Sequence, residues 1–525
     1  VRETSTGVLA TSGWRVLEPN DITAFGAELS TVDRRPISPD RGRKKGTVTD
    51  LDSSVEFEAD LTVDAFDDFA EGFVFAEWAN VEFQLTHPKL NGAALDVDDS
   101  TDDFDLSGIL SSLTNGALLV SKLIYNVGAA RSLLYAKGYL NSANNGLHEL
   151  NVQPVGGDAV LQVASSLVTE TAPANATVDV AGVRVSDGDL TLTVSGSTAT
   201  LVSSADISDW AALGIQAGMY IYIGSDDGSG GVQNALGTAA GTADDTFGYA
   251  RVTSVSSATL NLDKLDANIG GTADNTGDGD ADIMFGRFLR NVAVTEDSDD
   301  ERYFEQTYGF ETVYPDLGGV GTDEYEYAKG NFANELALNI PLGDKATATW
   351  SFIGTTTDAI TASRVTGPST ALSPLRTTAF NTSSDVASIS TDVVSSSSDV
   401  CFKDLTFTLG NNVSPEKCIG VIGATAVNVG LFEVTLEGQM LFTRKEITNA
   451  IRNNTTVTFA AIMKNDDGAI AIDIPSLTFG DGSKEYPTDE AVLVNISGTA
   501  FNDPAGTIPG VSLGITRFAS VPTNA

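Results

Sequence analysis

From Val55 to Val63 the chain alternates, with Val55, Phe57, Ala59, Leu61 and Val63 interleaved by Glu56, Glu58, Asp60 and Thr62. A period of two sends successive side chains to opposite faces, so the segment predicts a half-buried strand with one apolar face and one row of carboxylates. The period then lengthens in VDAFDDFAEGFVFAEW, where Phe66, Phe69 and Phe73 recur at helical spacing. A short amphipathic helix is expected there, ending near Gly72 with Asp64 as its cap, and its aromatics read as core.

Strand grammar returns from about residue 331. Leu336, Leu338 and Ile340 alternate before Pro341; Ala346, Ala348, Trp350 and Phe352 alternate in KATATWSF; Leu405, Phe407 and Leu409 do so in DLTFTLG. Val434, Leu436, Gly438, Met440 and Phe442 share one face of a further strand, and Thr435, Glu437 and Gln439 take the other. Residues 455–464 and 469–479 flank Asn465-Asp466-Asp467-Gly468, a hairpin signal. Only KEITNAIRN, at 445–453, is plainly helical in this half. Between Val183 and Leu289 there is no glutamate, glycine is dense, and LTLTVSGSTATLV, MYIYIG, YARVTSV and ATLNLD read as short strands. The Ser/Thr-rich stretch 383–400 lacks strong periodicity and reads as a connection. The fold class is therefore mainly β: a barrel or sandwich with one or two short helices, built from 1–182 and 290–525, with a small inserted β-barrel at 183–289. On that division, excision of about 185–287 should leave a folded core.

Charge narrows the function. The chain of 525 residues carries 30 basic and 71 acidic side chains, a net charge of −41, which disfavours binding to nucleic acid by phosphate neutralisation. Residues 1–50 differ, with eight basic and seven acidic residues. Within them Arg34, Arg35, Arg41, Arg43, Lys44 and Lys45 crowd into RRPISPDRGRKKG, whose prolines and glycines favour an extended loop. A basic loop on an acidic chain suits docking onto an acidic surface of another copy; a solvated loop is the plain alternative. No run approaches the roughly 20 apolar residues of a membrane helix. VRETSTGVLA holds no apolar signal-peptide core, so assembly in a cytoplasm is expected.

Catalytic chemistry is poorly supplied. There are two histidines, His87 and His148, no G-x-S-x-G elbow, and no zinc-protease, P-loop or dinucleotide motif. No cofactor and no enzymatic activity are expected. Cys401 and Cys418 read as small buried residues, with one disulfide as the minority alternative. The weak metal candidate is DNTGDGDAD, with Asp274, Asp278, Asp280 and Asp282. It fails the EF-hand pattern, because Ile283 and Leu289 stand where glycine and a bidentate glutamate belong, and an Asp/Gly turn is the stronger reading. The polar strand faces say more. Glu56, Glu58, Asp60, Thr435, Glu437 and Gln439 point away from the core, either to ordinary solvent or into a shared channel whose negative wall would repel DNA phosphates.

The order RRPISPDRGRKKG, FEADLT, DDFAEGFVFAEW, then ANELALNIPLGDKATATWSFIGTTT, DLTFTLGNNVSPEKCIGV and VNVGLFEVTLEGQMLFTRKEITNAI resembles tail tube (major tail) proteins of long-tailed, siphovirus-type bacteriophages, over about 1–90 and 300–525. The resemblance implies a structural virion protein whose β-barrel or sandwich subunits form stacked hexameric rings, a hollow tube through which DNA is ejected without specific binding. It implies tape measure, tail terminator and distal tail or baseplate proteins as partners. Arg34 to Lys45 then form the inter-ring contact, the six polar residues named above line the lumen, and the Asp/Gly-rich segment decorates the exterior. The rival readings are a capsid decoration or other virion β-protein, and a carbohydrate-binding or adhesion module centred on the insert.

Overall fold

The computed structural model describes residues 1–34, 44–85, 95–105, 119, 121–125, 129–154, 160–173, 176–237, 246–277, 279–293, 303–365, 367, 377–393, 401–488 and 491–523. The protein is mainly β, as its alternating segments predict. Two long strands open it: β1 (Pro19–Arg34) and β2 (Lys44–Asp60), antiparallel from Pro19↔Ala59 to Arg34↔Lys44. From β2 a continuous antiparallel sheet, here the wall, runs through Thr347–Gly354, Glu324–Pro341, Phe402–Gly410, Glu433–Leu441 and Leu493–Ala500 to Gly468–Glu485.

The helix α1 (Val63–Val74) packs on the apolar face of this wall. Its cap is Thr62 and not Asp64: the Thr62 hydroxyl accepts from the Ala65 amide, while Asp64 sits in the first turn. Phe69 and Phe73 lie 5.1 and 5.4 Å from Trp350, and Phe73 lies 5.2 Å from Phe352. Gly72 is required by this packing, because a Cβ there would stand 2.6 Å from the Tyr308 ring.

The strands Thr456–Asn465 and Gly468–Glu485 form the expected hairpin, closing at Asn465↔Gly468. With Gly514–Phe518 they make a middle layer that is buried on both sides. Phe459, Ala461, Ile470 and Ile472 face the wall core, while Ala460, Ile462, Ala469 and Ala471 face a second sheet.

That second sheet has ten strands and takes residues from both sides of the expected boundary at 183: Arg131–Lys137, Gly146–Glu149 and Thr177–Val185 belong to it with the Asp/Gly-rich strands. Its path has two ends, Thr272–Asp274 and Gly146–Glu149, so among the described residues it is open, where a closed barrel is the sequence expectation. Its own core runs from Phe83 to Phe285. Leu133, Ala181, Tyr220, Tyr222, Tyr249 and Met284 form a largely apolar contact with the middle layer.

A buried ionic knot crosses that contact. Arg251, 1% exposed, donates from Nε and Nη2 to Asp263 (2.8 and 2.7 Å) and from Nη1 to Asp473 Oδ2 (2.8 Å). Within the main sheet, Arg287, on the strand Arg287–Arg290 that pairs with Gly514–Phe518, donates to Asp67 of α1 at 2.6 Å. The second sheet, here the module, is held to the middle layer by the Arg251 knot and by the apolar contact that the knot crosses. Excision of about 185–287 would take Arg251 from Asp473 and uncover the second apolar face of the middle layer, which the sequence pattern could not show.

Candidate functional site

Residues directly opposite in an antiparallel ladder share a face, so the register assigns each polar position of the wall. Glu58 aligns with Thr349, Ala337, Thr408, Thr435, Thr499 and Thr478 in one row across seven strands. The next row holds Asp60, Thr347, Asn339, Thr406, Glu437, Ser497 and Gly480. Glu56 lies in a third row with Ser351, Glu335, Gly410 and Glu433, and Gln439 in a fourth with Asp404 and Asn495.

All six polar residues singled out in the sequence therefore lie on one face of one sheet, although β2 and Glu433–Leu441 are far apart in the chain. None of the residues in these rows is Lys or Arg. The face is dense in carboxylates, hydroxyls and amides that bond among themselves, as in Gln439 Nε2 to Asn495 (3.0 Å) and Thr406 Oγ1 to Asn339 (3.2 Å). At its margin, Lys345 bridges Asp60 at 2.5 Å. Against the burial that raises it, that ammonium and the Asn20 amide hold the Asp60 carboxyl below its usual range. Sequence reading missed Thr347, Thr349, Thr406, Thr408, Glu335 and Asp404 as members of this face. Their signal was present as the polar positions of KATATWSF and DLTFTLG, but which strands adjoin is a matter of distant pairing.

The second feature is an arm. Only Ser53–Asp60 of β2 pair with the wall, so residues 44–52 pair with β1 alone. From Ala27 onward every described residue of β1 is exposed. Nine residues of β2 lie opposite seven of β1, Glu28 to Arg34, a reach of roughly 25 Å, and a two-stranded ribbon of this kind is marginally stable by itself. Arg34, Lys44 and Lys45 stand at its far end; Arg35, Arg41 and Arg43 lie outside the described residues. Beside the arm, the small hairpin of Ser414–Glu416 and Ala426–Asn428 sends Lys417 to Asp50 (2.6 Å) and Asp52 (2.5 Å).

Among the described residues the metal candidates do not converge on one site. Asp282 is fully buried and bonded to Arg184 (2.8 and 2.9 Å), Ser225 (2.7 Å) and Asn234 (2.9 Å), while Asp274 accepts from the Thr276 amide. Asp278 lies outside the described residues, and among the described residues no group of three or more metal-ligating side chains converges. Cys401 and Cys418 are free and exposed, contrary to the buried reading: one immediately precedes the strand Phe402–Gly410 and the other lies in the loop of the small hairpin.

No helix of the described residues is long and apolar enough to cross a membrane. A search of curated proteins finds no match. Comparison with protein-family models matches residues 231–500 to the family described as phage tail tube protein. The match covers most of the wall, all of the small hairpin and a part of the Asp/Gly-rich segment, which the sequence resemblance had left aside. It spans more than half of the chain, and on that ground the chain belongs to the phage tail tube protein family and is a structural protein of the virion tail.

Proposed function

We propose that this subunit assembles into stacked hexameric rings that form the hollow tail tube of a siphovirus-type phage, with the polar face of the wall lining the lumen through which DNA is ejected. The observation that carries this reading is the pair of polar rows that cross seven strands without a Lys or Arg, backed by an apolar core, with Lys345 at the margin held by Asp60. Cations are what bind phosphates and release their counterions, so rows without them offer a translocating duplex little to hold. Its fixed carboxylates repel the duplex instead.

The free edge of β1 is supplied for pairing with a neighbouring subunit, which would carry the wall round the ring and remove an aggregation-prone edge. The arm with Arg34, Lys44 and Lys45 serves as the inter-ring contact, a basic end reaching an otherwise acidic neighbour. Tape measure, tail terminator and distal tail proteins are the partners this role requires. Assembly takes place in the host cytoplasm.

Negative-stain electron microscopy of the purified protein, over a range of protein and salt concentrations, tests the proposal. Sixfold rings, or tubes with a lumen wide enough for a duplex, are the expected result. Compact monomers at every condition, unchanged by added tail tips, would refute it.

A further inference from the structure

Away from the wall and the arm, a buried cluster brings an amine, a carboxamide and a carboxylate together. Asn80 precedes the turn Val81–Phe83 and holds a left-handed backbone, with φ of 61°. Asparagine enters that region more readily than most residues with a Cβ. Its side chain is 1% exposed and packs so closely on Gly214 that any Cβ at that glycine would collide with the carboxamide. Asn80 Nδ2 donates to the Gly214 carbonyl at 2.9 Å and to the Gly286 carbonyl at 3.4 Å. Carbonyls only accept, so these two bonds anchor the nitrogen and turn Oδ1 the other way.

Lys122 meets that oxygen. Its Nζ donates to Asn80 Oδ1 at 2.7 Å and is paired with Glu82 Oε1 at 2.9 Å, and Lys122 and Glu82 are 5% and 1% exposed. The buried ring of Phe83 has its centroid 6.0 Å from Nζ, and Leu119 and Leu123, neighbours of Lys122 in the chain, are buried as well. A C=O bond is about 1.2 Å long, so Asn80 Cγ lies within roughly 4 Å of the amine. Two opposite charges in an apolar setting are costly to keep out of water. An ion pair alone does not call for a carboxamide anchored through its nitrogen with its carbonyl presented to the amine.

We propose that Lys122 and Asn80 condense into an intramolecular isopeptide bond, with Glu82 as the proton acceptor. One Nζ proton passes to Glu82, and the freed lone pair attacks Asn80 Cγ. The bond formed is Nζ–Cγ and the bond broken is Cγ–Nδ2. Of the three Nζ protons, one remains on the new amide, one stays on Glu82, and one goes to the departing nitrogen, which leaves as ammonia. The step needs no oxidant or co-reactant, and it removes both buried charges at once, which favours the product. Asn80 follows Ala79, which bridges Phe288 of the main sheet, and Lys122 lies shortly before the strand Arg131–Lys137 of the second sheet. The bond therefore ties two segments 42 positions apart where the chain passes from one sheet to the other. As with a disulfide, closing such a loop restricts the unfolded chain and stabilises the fold.

The test is intact-mass spectrometry of the purified full chain under denaturing conditions, followed by a tryptic map. The wild-type mass is expected to fall below the sequence mass by one ammonia. The map is expected to show the peptide that carries Asn80 joined to the one that carries Lys122, with no cleavage after Lys122. Glu82→Gln, which keeps the shape of the side chain but takes up no proton, and Lys122→Arg are each expected to show their full sequence mass. Wild-type protein at its full sequence mass, both fresh and after prolonged incubation in the folded state, overturns the proposal whether or not either variant folds. An ammonia loss that maps elsewhere, such as a succinimide at Asn145-Gly146, overturns it too. A cross-link that persists in Glu82→Gln overturns the role given to Glu82. The bond lies within one subunit, so none of these outcomes decides whether rings form.

Discussion

Arg251 holds two carboxylates in a place where neither tolerates isolation. Its guanidinium ties Asp263 of the second sheet to Asp473 of the middle layer, and both Arg251 and Asp473 are 1% exposed. Removing one partner of such a pair strands the other, at a cost of about 3–5 kcal/mol, whereas replacing both by apolar residues is often close to neutral. Arg251→Met is therefore expected to lower the unfolding free energy from a urea titration by that much, and Arg251→Met/Asp473→Leu to recover the share that comes from Asp473 while Asp263 stays unpaired; a double variant as weak as the single would contradict the assignment. Asp179 carries a different burden. Its Oδ1 is buried without a hydrogen-bond partner, and burial raises its pKa to about 6 despite Arg287, Arg517 and Lys137 nearby. A carboxyl that holds its proton more tightly folded than unfolded, where its pKa is about 3.9, stabilises the fold at low pH and loses that contribution as pH rises from about 4 to about 6. Asp179→Asn should thus melt higher than wild type at pH 7.5, and the gap should narrow by about 1 kcal/mol or more on going to pH 5. A gap independent of pH would show that Asp179 does not titrate in this window.

At the scale of elements, the arm joins exposed strands to a basic end. Surface substitutions away from packing features shift stability by about 0.5 kcal/mol or less, so Arg34→Glu/Lys44→Glu/Lys45→Glu is expected to leave the circular dichroism melt of the monomer nearly unchanged. Assembly should fall sharply, read as the pelletable fraction after high-speed centrifugation; an undiminished pellet would remove the arm from the stacking contact. The elements themselves were largely legible. Residues 55–63, 347–354, 402–410 and 433–441 announce themselves because one face is buried and one is wet, which is the condition that writes a period of two into a sequence. The helix was legible from its three phenylalanines, but its cap was misplaced by two residues because both Thr62 and Asp64 satisfy the local rule and only the backbone turn decides between them. The common face of Glu58 and Thr435 was not legible, since it depends on four intervening strand pairings. The exposed cysteines were missed because a cysteine's burial is set by its place in the fold, and neither neighbouring sequence carries a periodic signal strong enough to assign it.

For the whole molecule, three layers share their interfaces. The Asp/Gly-rich segment looked separable because its composition changes at about 183 and 289, yet composition follows surface chemistry and the sheet begins near Arg131. Excision of 185–287 would uncover Ala460, Ile462, Ala469 and Ala471 and leave Asp473 without Arg251. Insoluble product is therefore expected across several linker designs, measured as the soluble fraction after expression, and a soluble, cooperatively melting core would show that the layers fold independently. The strand Gly468–Glu485 gives this stacking a mechanical meaning. Its first half pairs with Thr456–Asn465 and Gly514–Phe518 in the middle layer, and its second half pairs with Leu493–Ala500 in the wall. One unbroken backbone thus runs from the layer that carries the module into the layer that carries the polar face, with ladders on both flanks. Its hydrogen bonds lie across the strand, so a pull along its axis loads both ladders in shear at once and cannot unzip them one bond at a time. The strand is a tie-rod: a load that the module passes to its first half through the packed middle layer continues into the wall along one backbone.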